Sequence, residues 1–204
     1  MEQVRFLRGR VYDPVLRGIH AWNGLLILLL LLSGQWLPRL DFPAGRTLLW
    51  HAHIVLGYGL LLGWSARLAW GLAGPQHARW SSMWHPHAWL QALRSRQVFT
   101  APRSFGHHPQ ASAVYLLVYV LLAVMLASGL LLAAAAQNTG PLYARFGHDA
   151  AVKAMARVPH AWAQYPLWLF LFIHLGTLVL HERRHGVPVA QAMISGYQYL
   201  EAKP

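Results

Sequence analysis

Apolar residues gather along this chain in four long blocks, at residues 19–37, 48–72, 113–136 and 161–180. Each is long enough to cross a hydrocarbon core, which takes about 20 helical residues. In lipid the backbone has to satisfy its own hydrogen bonds, so the blocks predict helices rather than open strands. The connection "PRLDFPAG" between the first two is short and makes them antiparallel neighbours. The connection between the second and third is long. Part of it, "MWHPHAWLQALRSRQVF", mixes Trp84, Trp89, Leu90, Leu93 and Phe99 with arginines, a composition that suits a helix lying among lipid headgroups. "GHHP" at 106–109 then turns the chain into the third block, and residues 137–159 hold room for a short helix around "DAAVKAMARV". The first block is long for a secretory signal, is followed by no small-x-small cleavage site, and carries His20 and Asn23.

Composition agrees with this pattern. Of 204 residues, 56% are hydrophobic and 11% charged, where a soluble domain has about a quarter charged. The expected fold is an all-α integral membrane protein, a bundle of four transmembrane helices forming one domain over residues 1–204. The net charge of +11 would point to nucleic acid in a soluble protein. Here its distribution fits membrane orientation better. Arg5, Arg8, Arg10, Arg17, Arg67, Arg79, Arg94, Arg96, Arg103, Arg183, Arg184 and Lys203 fall on one side, against Arg39, Arg46, Arg145, Lys153 and Arg157 on the other. The positive-inside rule then places both termini in the cytoplasm, and no nucleic-acid partner is expected. The chain has no cysteine. That excludes disulfides, cysteine-held iron–sulfur clusters and haem attached through C-x-x-C-H. Any redox centre has to be held by histidine, methionine or carboxylate.

Thirteen histidines are present. Those at 77, 85, 87, 107, 108, 148 and 185 lie in loops or at interfaces and read as ordinary polar side chains. His20, His51, His53, His160, His174 and His181 fall in or at the ends of the spans, where ionisable groups are costly and mark functional paths. His20 opens an inward-to-outward helix, so it lies near the cytoplasmic face. His51 and His53 open the next helix at the outer face. On the fourth, His160 is outer and His174 inner, fourteen residues on, which is close to a whole number of turns and about 21 Å along the axis. Two levels result, each with one histidine from the fourth helix and one from another. Two axial nitrogens from facing helices are what a b-type haem iron requires, and bundles build cofactor sites in this way. Zinc wants three or four ligands at one level. Histidines hydrogen-bonding between helices account for one or two such residues, not for matched pairs. A transporter with a histidine proton relay lacks carboxylates within its spans. His51 and His53 differ by about 200° around the helix, so only one can face the bundle. Gly57, one turn below His53, lets a flat macrocycle approach the backbone and favours His53. His181 adjoins Glu182, Arg183 and Arg184 and reads as a helix-end residue. Pro166, six residues after His160, is expected to kink the fourth helix.

Several of these segments resemble one family. "VLRGIHAW", with Arg17 three before His20, resembles the first-helix motif of the cytochrome b561-like subunits of membrane-bound nickel–iron hydrogenases. His53, Gly57 and Arg67 repeat its second-helix spacing, and "GHHP" resembles its G-H-N-P. His160 and His174 resemble its fourth-helix pair, and "MISGYQ" its C-terminal "NGYR"-type segment. The resemblance covers nearly the whole chain. It implies a multi-pass protein of the bacterial inner membrane with two non-covalent haem b groups, the outer held by His53 and His160 and the inner by His20 and His174. It also implies electron exchange between the quinone pool and a periplasmic redox protein, hydrogenase-like or a c-type cytochrome, in either direction. Arg17 and Arg67 are candidates for the haem propionates, or equally cytoplasmic anchors. The alternative branch of the superfamily is a stand-alone superoxide:quinone oxidoreductase. The long Trp-rich loop and the C-terminal extension argue against it.

Overall fold

Proline and aspartate start the helices. In the computed structural model, which describes residues 6–39, 41–95, 105–106, 109–185 and 189–201, helix α1 runs Pro14–Trp36, α2 Pro43–Ala73 and α3 Pro86–Ser95. Each opens on a proline, whose missing N–H is one that a first turn leaves unbonded anyway. Asp13 caps α1, its Oδ1 accepting from the backbone of Val15 and Leu16 at 3.0 Å each. Helix α4 runs Pro109–Gln137, and a four-residue turn of helix, α5, covers Tyr143–Phe146. Helix α6 covers Ala150–His185 and α7 Ala190–Ser195. At the end of α4, Asn138 takes φ 54° and the Thr139 N–H bonds the Ala133 carbonyl at 3.0 Å. That is a left-handed cap with asparagine in the usual glycine position.

Four of these helices, α1, α2, α4 and α6, are long and apolar enough to cross a membrane. Only 11–22% of the most apolar window of each is buried inside the protein, so most of the apolar surface faces outward, as lipid requires. One expectation changes in detail. The segment "DAAVKAMARV" is not a separate short helix but the first turns of α6, started by Asp149, whose Oδ1 accepts from Ala151 and Val152. The helix then continues unbroken through Pro159 and Pro166. Each proline removes one N–H, a loss that a spanning helix tolerates. Helix α3 covers ten residues of the segment expected to lie among headgroups, and residues 96–99 of that segment lie outside the described residues, as do His107 and His108 of "GHHP".

Among the described residues there is also a two-stranded sheet, which the apolar pattern did not announce. Strand β1 (Phe6–Arg10) pairs antiparallel with β2 (Tyr197–Glu201), Arg8 opposite Tyr199. Gly196, at φ 85°, ends α7 and turns the chain into β2, and its carbonyl accepts from the backbone of Val11 and Tyr12. A residue with a Cβ would be strained in that left-handed conformation.

The chain groups into two compact units. One comprises residues 22–65 and 118–171 and takes segments from all four spanning helices. Its core is Leu26, Leu31, Leu60, Leu122, Leu126 and Leu167. Within it α1 lies close against α2 because Gly59 and Gly63 present a small-residue face. A Cβ on Gly59 would sit 3.1 Å from Leu26, and one on Gly63 2.0 Å from Asn23. Trp22 Nε1 donates to the Gly59 carbonyl at 3.0 Å. The other unit comprises residues 1–21, 66–117 and 172–204. It contains the sheet, α3 and α7. Here Trp70 Nε1 donates to the Asp13 carboxylate at 3.2 Å, and Trp89 Nε1 to Ser112 Oγ at 3.3 Å.

Candidate functional site

Each unit holds one histidine pair. In the unit containing residues 22–65, His53 from α2 and His160 from α6 face one another with ring centres 6.3 Å apart and planes at 76°. Neither ring hangs free. Ser33 Oγ, on α1, lies 2.7 Å from His53 Nδ1 and donates to the Leu30 carbonyl at 3.0 Å. Ser128 Oγ, on α4, lies 3.0 Å from His160 Nδ1, which is also 3.1 Å from the Met125 carbonyl. The edge of Trp50 meets the His53 ring, centres 6.4 Å apart. Gln35 donates to Gln164 at 2.7 Å, tying α1 to α6 one turn beyond His160. His51 is exposed instead, its Nδ1 on the Thr47 carbonyl of its own helix at 2.8 Å.

In the other unit, His20 from α1 and His174 from α6 also stand with ring centres 6.3 Å apart, their planes at 52°. The polar company differs. Arg17, one turn before His20, donates to the Ile194 carbonyl of α7. Arg67 is 4% exposed, with its guanidinium 4.6 Å over the Trp80 ring and Nη2 3.6 Å from Met83 Sδ. Trp80 in turn donates to the Leu68 carbonyl at 3.1 Å.

The common separation can be tested against a cofactor. An imidazole nitrogen binds a metal at about 2 Å. Two such bonds in line through one ion, with each nitrogen about 1 Å from its ring centre, set the centres roughly 6 Å apart. Both pairs meet that requirement. Among the described residues no three histidine, aspartate or glutamate side chains converge on a common metal position, so a zinc-type cage is not what these pairs form. Room for a flat ring is also present. A Cβ on Gly57, four residues after His53, would touch nothing within 4 Å, and the same holds for Gly24, four residues after His20. Gly24 was missed in the sequence, although it repeats the His53–Gly57 spacing. Ser33 and Ser128 were missed too, and a single hydroxyl in a leucine-rich helix carries no signal beyond its cost in lipid.

A family model described as prokaryotic cytochrome b561 matches residues 11–196. The relatives found include proteins named probable Ni/Fe-hydrogenase B-type cytochrome subunit. That of Azotobacter chroococcum mcd 1 is 26% identical over 211 residues, covering 91% of this chain and 84% of its own. Those of Azotobacter vinelandii and Cupriavidus necator are each 24% identical, over 92% of this chain and 87% and 86% of their own. No solved structure matches.

Proposed function

Because the chain belongs to the prokaryotic cytochrome b561 family, we propose that its histidine pairs hold two non-covalent haem b groups, His53 with His160 and His20 with His174. The protein is then a multi-pass b-type membrane cytochrome that passes electrons between an outer redox partner and the membrane quinone pool. The observation that carries the reading is the equal ring separation of 6.3 Å in the two pairs. The relatives' name, a cytochrome subunit of Ni/Fe-hydrogenase, supports a hydrogenase-like partner outside. The charge count supports cytoplasmic termini in a bacterial inner membrane, and the pairing of β1 with β2 supports a common side for both ends.

Bound at these pairs, haem supplies a one-electron ferric–ferrous couple. The chain supplies everything else. His53 and His160 are held by hydroxyl and carbonyl groups from α1 and α4, which fix the ring orientations. Gly57 and Gly24 leave the backbone bare where a macrocycle passes. Arg17 and Arg67 are the cations for carboxylate side arms, since a guanidinium pairs bidentately with a carboxylate. A pyridine haemochrome assay tests the reading. Two b haems per chain with low-spin, six-coordinate spectra are expected, and one haem or none would overturn it.

A further inference from the structure

The groups that hold the outer pair come from α1 and α4, two helices that give that pair no histidine. Hydrogen-bond inventory places a proton on His160 Nδ1 and leaves an acceptor for one on His53 Nδ1. A serine hydroxyl has one proton, and a carbonyl can only accept. Ser33 Oγ sits 3.0 Å from the Leu30 carbonyl and 2.7 Å from His53 Nδ1. With its proton on the Leu30 carbonyl, Oγ is left to accept from His53 Nδ1. Ser128 Oγ gives its proton to the Val124 carbonyl at 2.6 Å. His160 Nδ1, 3.1 Å from the Met125 carbonyl and 3.0 Å from Ser128 Oγ, faces two acceptors and is a donor as well. Both serines precede a glycine. A Cβ on Gly129 would stand 3.1 Å from His160 Cε1, tighter than ordinary contact, so the residue after Ser128 leaves the ring its place.

Resting on the cytochrome reading above, we propose that Ser33 and Ser128 are positioning residues for the outer haem. They hold His53 and His160 as Nδ1–H tautomers, so that Nε2 of each ring is the nitrogen offered to the iron. Hydrogen bonding at the far nitrogen also raises ligand basicity, which favours the ferric state. The two serines are not equivalent. Among the described residues Ser33 is the only hydrogen-bond partner of His53 Nδ1, whereas His160 keeps the Met125 carbonyl if Ser128 is lost.

The test compares wild type with Ser33→Ala, Ser128→Ala and Ser33→Thr, the full chain in each case, purified in detergent. Redox titration and nitrogen-15 histidine NMR of the reduced protein are the readouts. In wild type the NMR is expected to show the proton on Nδ1 of both His53 and His160. Ser33→Ala should raise the potential of one haem and leave the other unchanged. A tenfold weaker preference for the ferric form is about 59 mV for a one-electron couple. Ser128→Ala should do the same more weakly, and Ser33→Thr, which keeps the hydroxyl, should restore the wild-type value. A proton on Nε2 of either ring overturns the proposal. So do unchanged potentials in Ser33→Ala with full haem content. Haem stoichiometry is read separately: a wild-type protein without haem would end the cytochrome assignment, while the NMR would still report which nitrogen carries the proton.

Discussion

The two histidine pairs share a ring separation of 6.3 Å and little else. His53 and His160 are clasped from behind, each Nδ1 hydrogen-bonded to a neighbouring helix. His20 is exposed, and among the described residues no hydrogen bond reaches its ring nitrogens. The unit that holds His20 and His174 also carries charge. Arg17 precedes His20 by one turn, and the buried Arg67 belongs to the same unit. One pair is organised by neutral donors and acceptors that set ring geometry. The other lies in a unit that also holds Arg17 and the buried Arg67. His53 and His160 are therefore preorganised by the protein.

The largest effect that breaks the comparison is removal of a clasped ring. His53→Ala or His160→Ala should lose one haem of two, read as a halved haemochrome signal per chain. His51→Ala should keep both, because His51 is turned out to its own helix backbone. Equal loss from His51→Ala and His53→Ala would remove the distinction between the two positions. Next comes sidedness. With His174→Ala the outer haem should remain reducible by an external donor while quinone reduction fails, since fourteen residues of helix, about 21 Å, separate the two ligand positions on α6. Near-normal quinone turnover would place the quinone at the outer pair. The third effect is retention. Groups behind a metal-ligating histidine are worth about 10–100-fold in affinity. Haem transfer from the His53–His160 site to excess apomyoglobin should therefore be at least about tenfold faster in Ser33→Ala than in wild type. Equal release rates would show that the clasp adds nothing.

Much of this arrangement was legible in the sequence, for reasons that can be named. The four spans follow from apolar length alone. The separation of His160 from His174 follows from helical periodicity; the 200° divergence of His51 and His53 lets only one face inward, and Gly57 selects His53. What escaped was whatever depends on a partner far along the chain. Strands β1 and β2 are about 190 residues apart in sequence, and five residues such as "FLRGR" show no alternation that would mark a strand. Ser33 and Ser128 gain meaning only once α1 meets α2 and α4 meets α6. The start of α6 at Ala150 rather than at 161 was hidden by Pro159, which reads as a helix boundary in water and is tolerated in a spanning helix.

The smallest expected effect sharpens the charged half of the comparison. Arg67 is buried beside Trp80 and Met83, and burying a cation is costly unless an anion or other partner compensates it. If Arg67 serves a haem carboxylate, Arg67→Gln removes a positive charge near the inner iron. A unit charge about 10 Å away at an effective dielectric near 20 is worth roughly 1.5 kcal/mol, close to the about 59 mV of a tenfold change in a one-electron couple. The sign follows from charge. Oxidised iron carries one more positive charge than reduced iron, so a nearby cation disfavours it, and losing that cation lowers the potential. Arg67→Gln should therefore shift the inner haem downward by a few tens of millivolts and leave the outer haem where it was. Arg67→Lys keeps the charge and should shift it less, although a point charge replaces a planar fork. If Arg67 is only a cytoplasmic anchor packed under Trp80, neither potential moves and the variant shows its effect in thermal stability alone. The redox titration of both haems in these two variants separates the two roles.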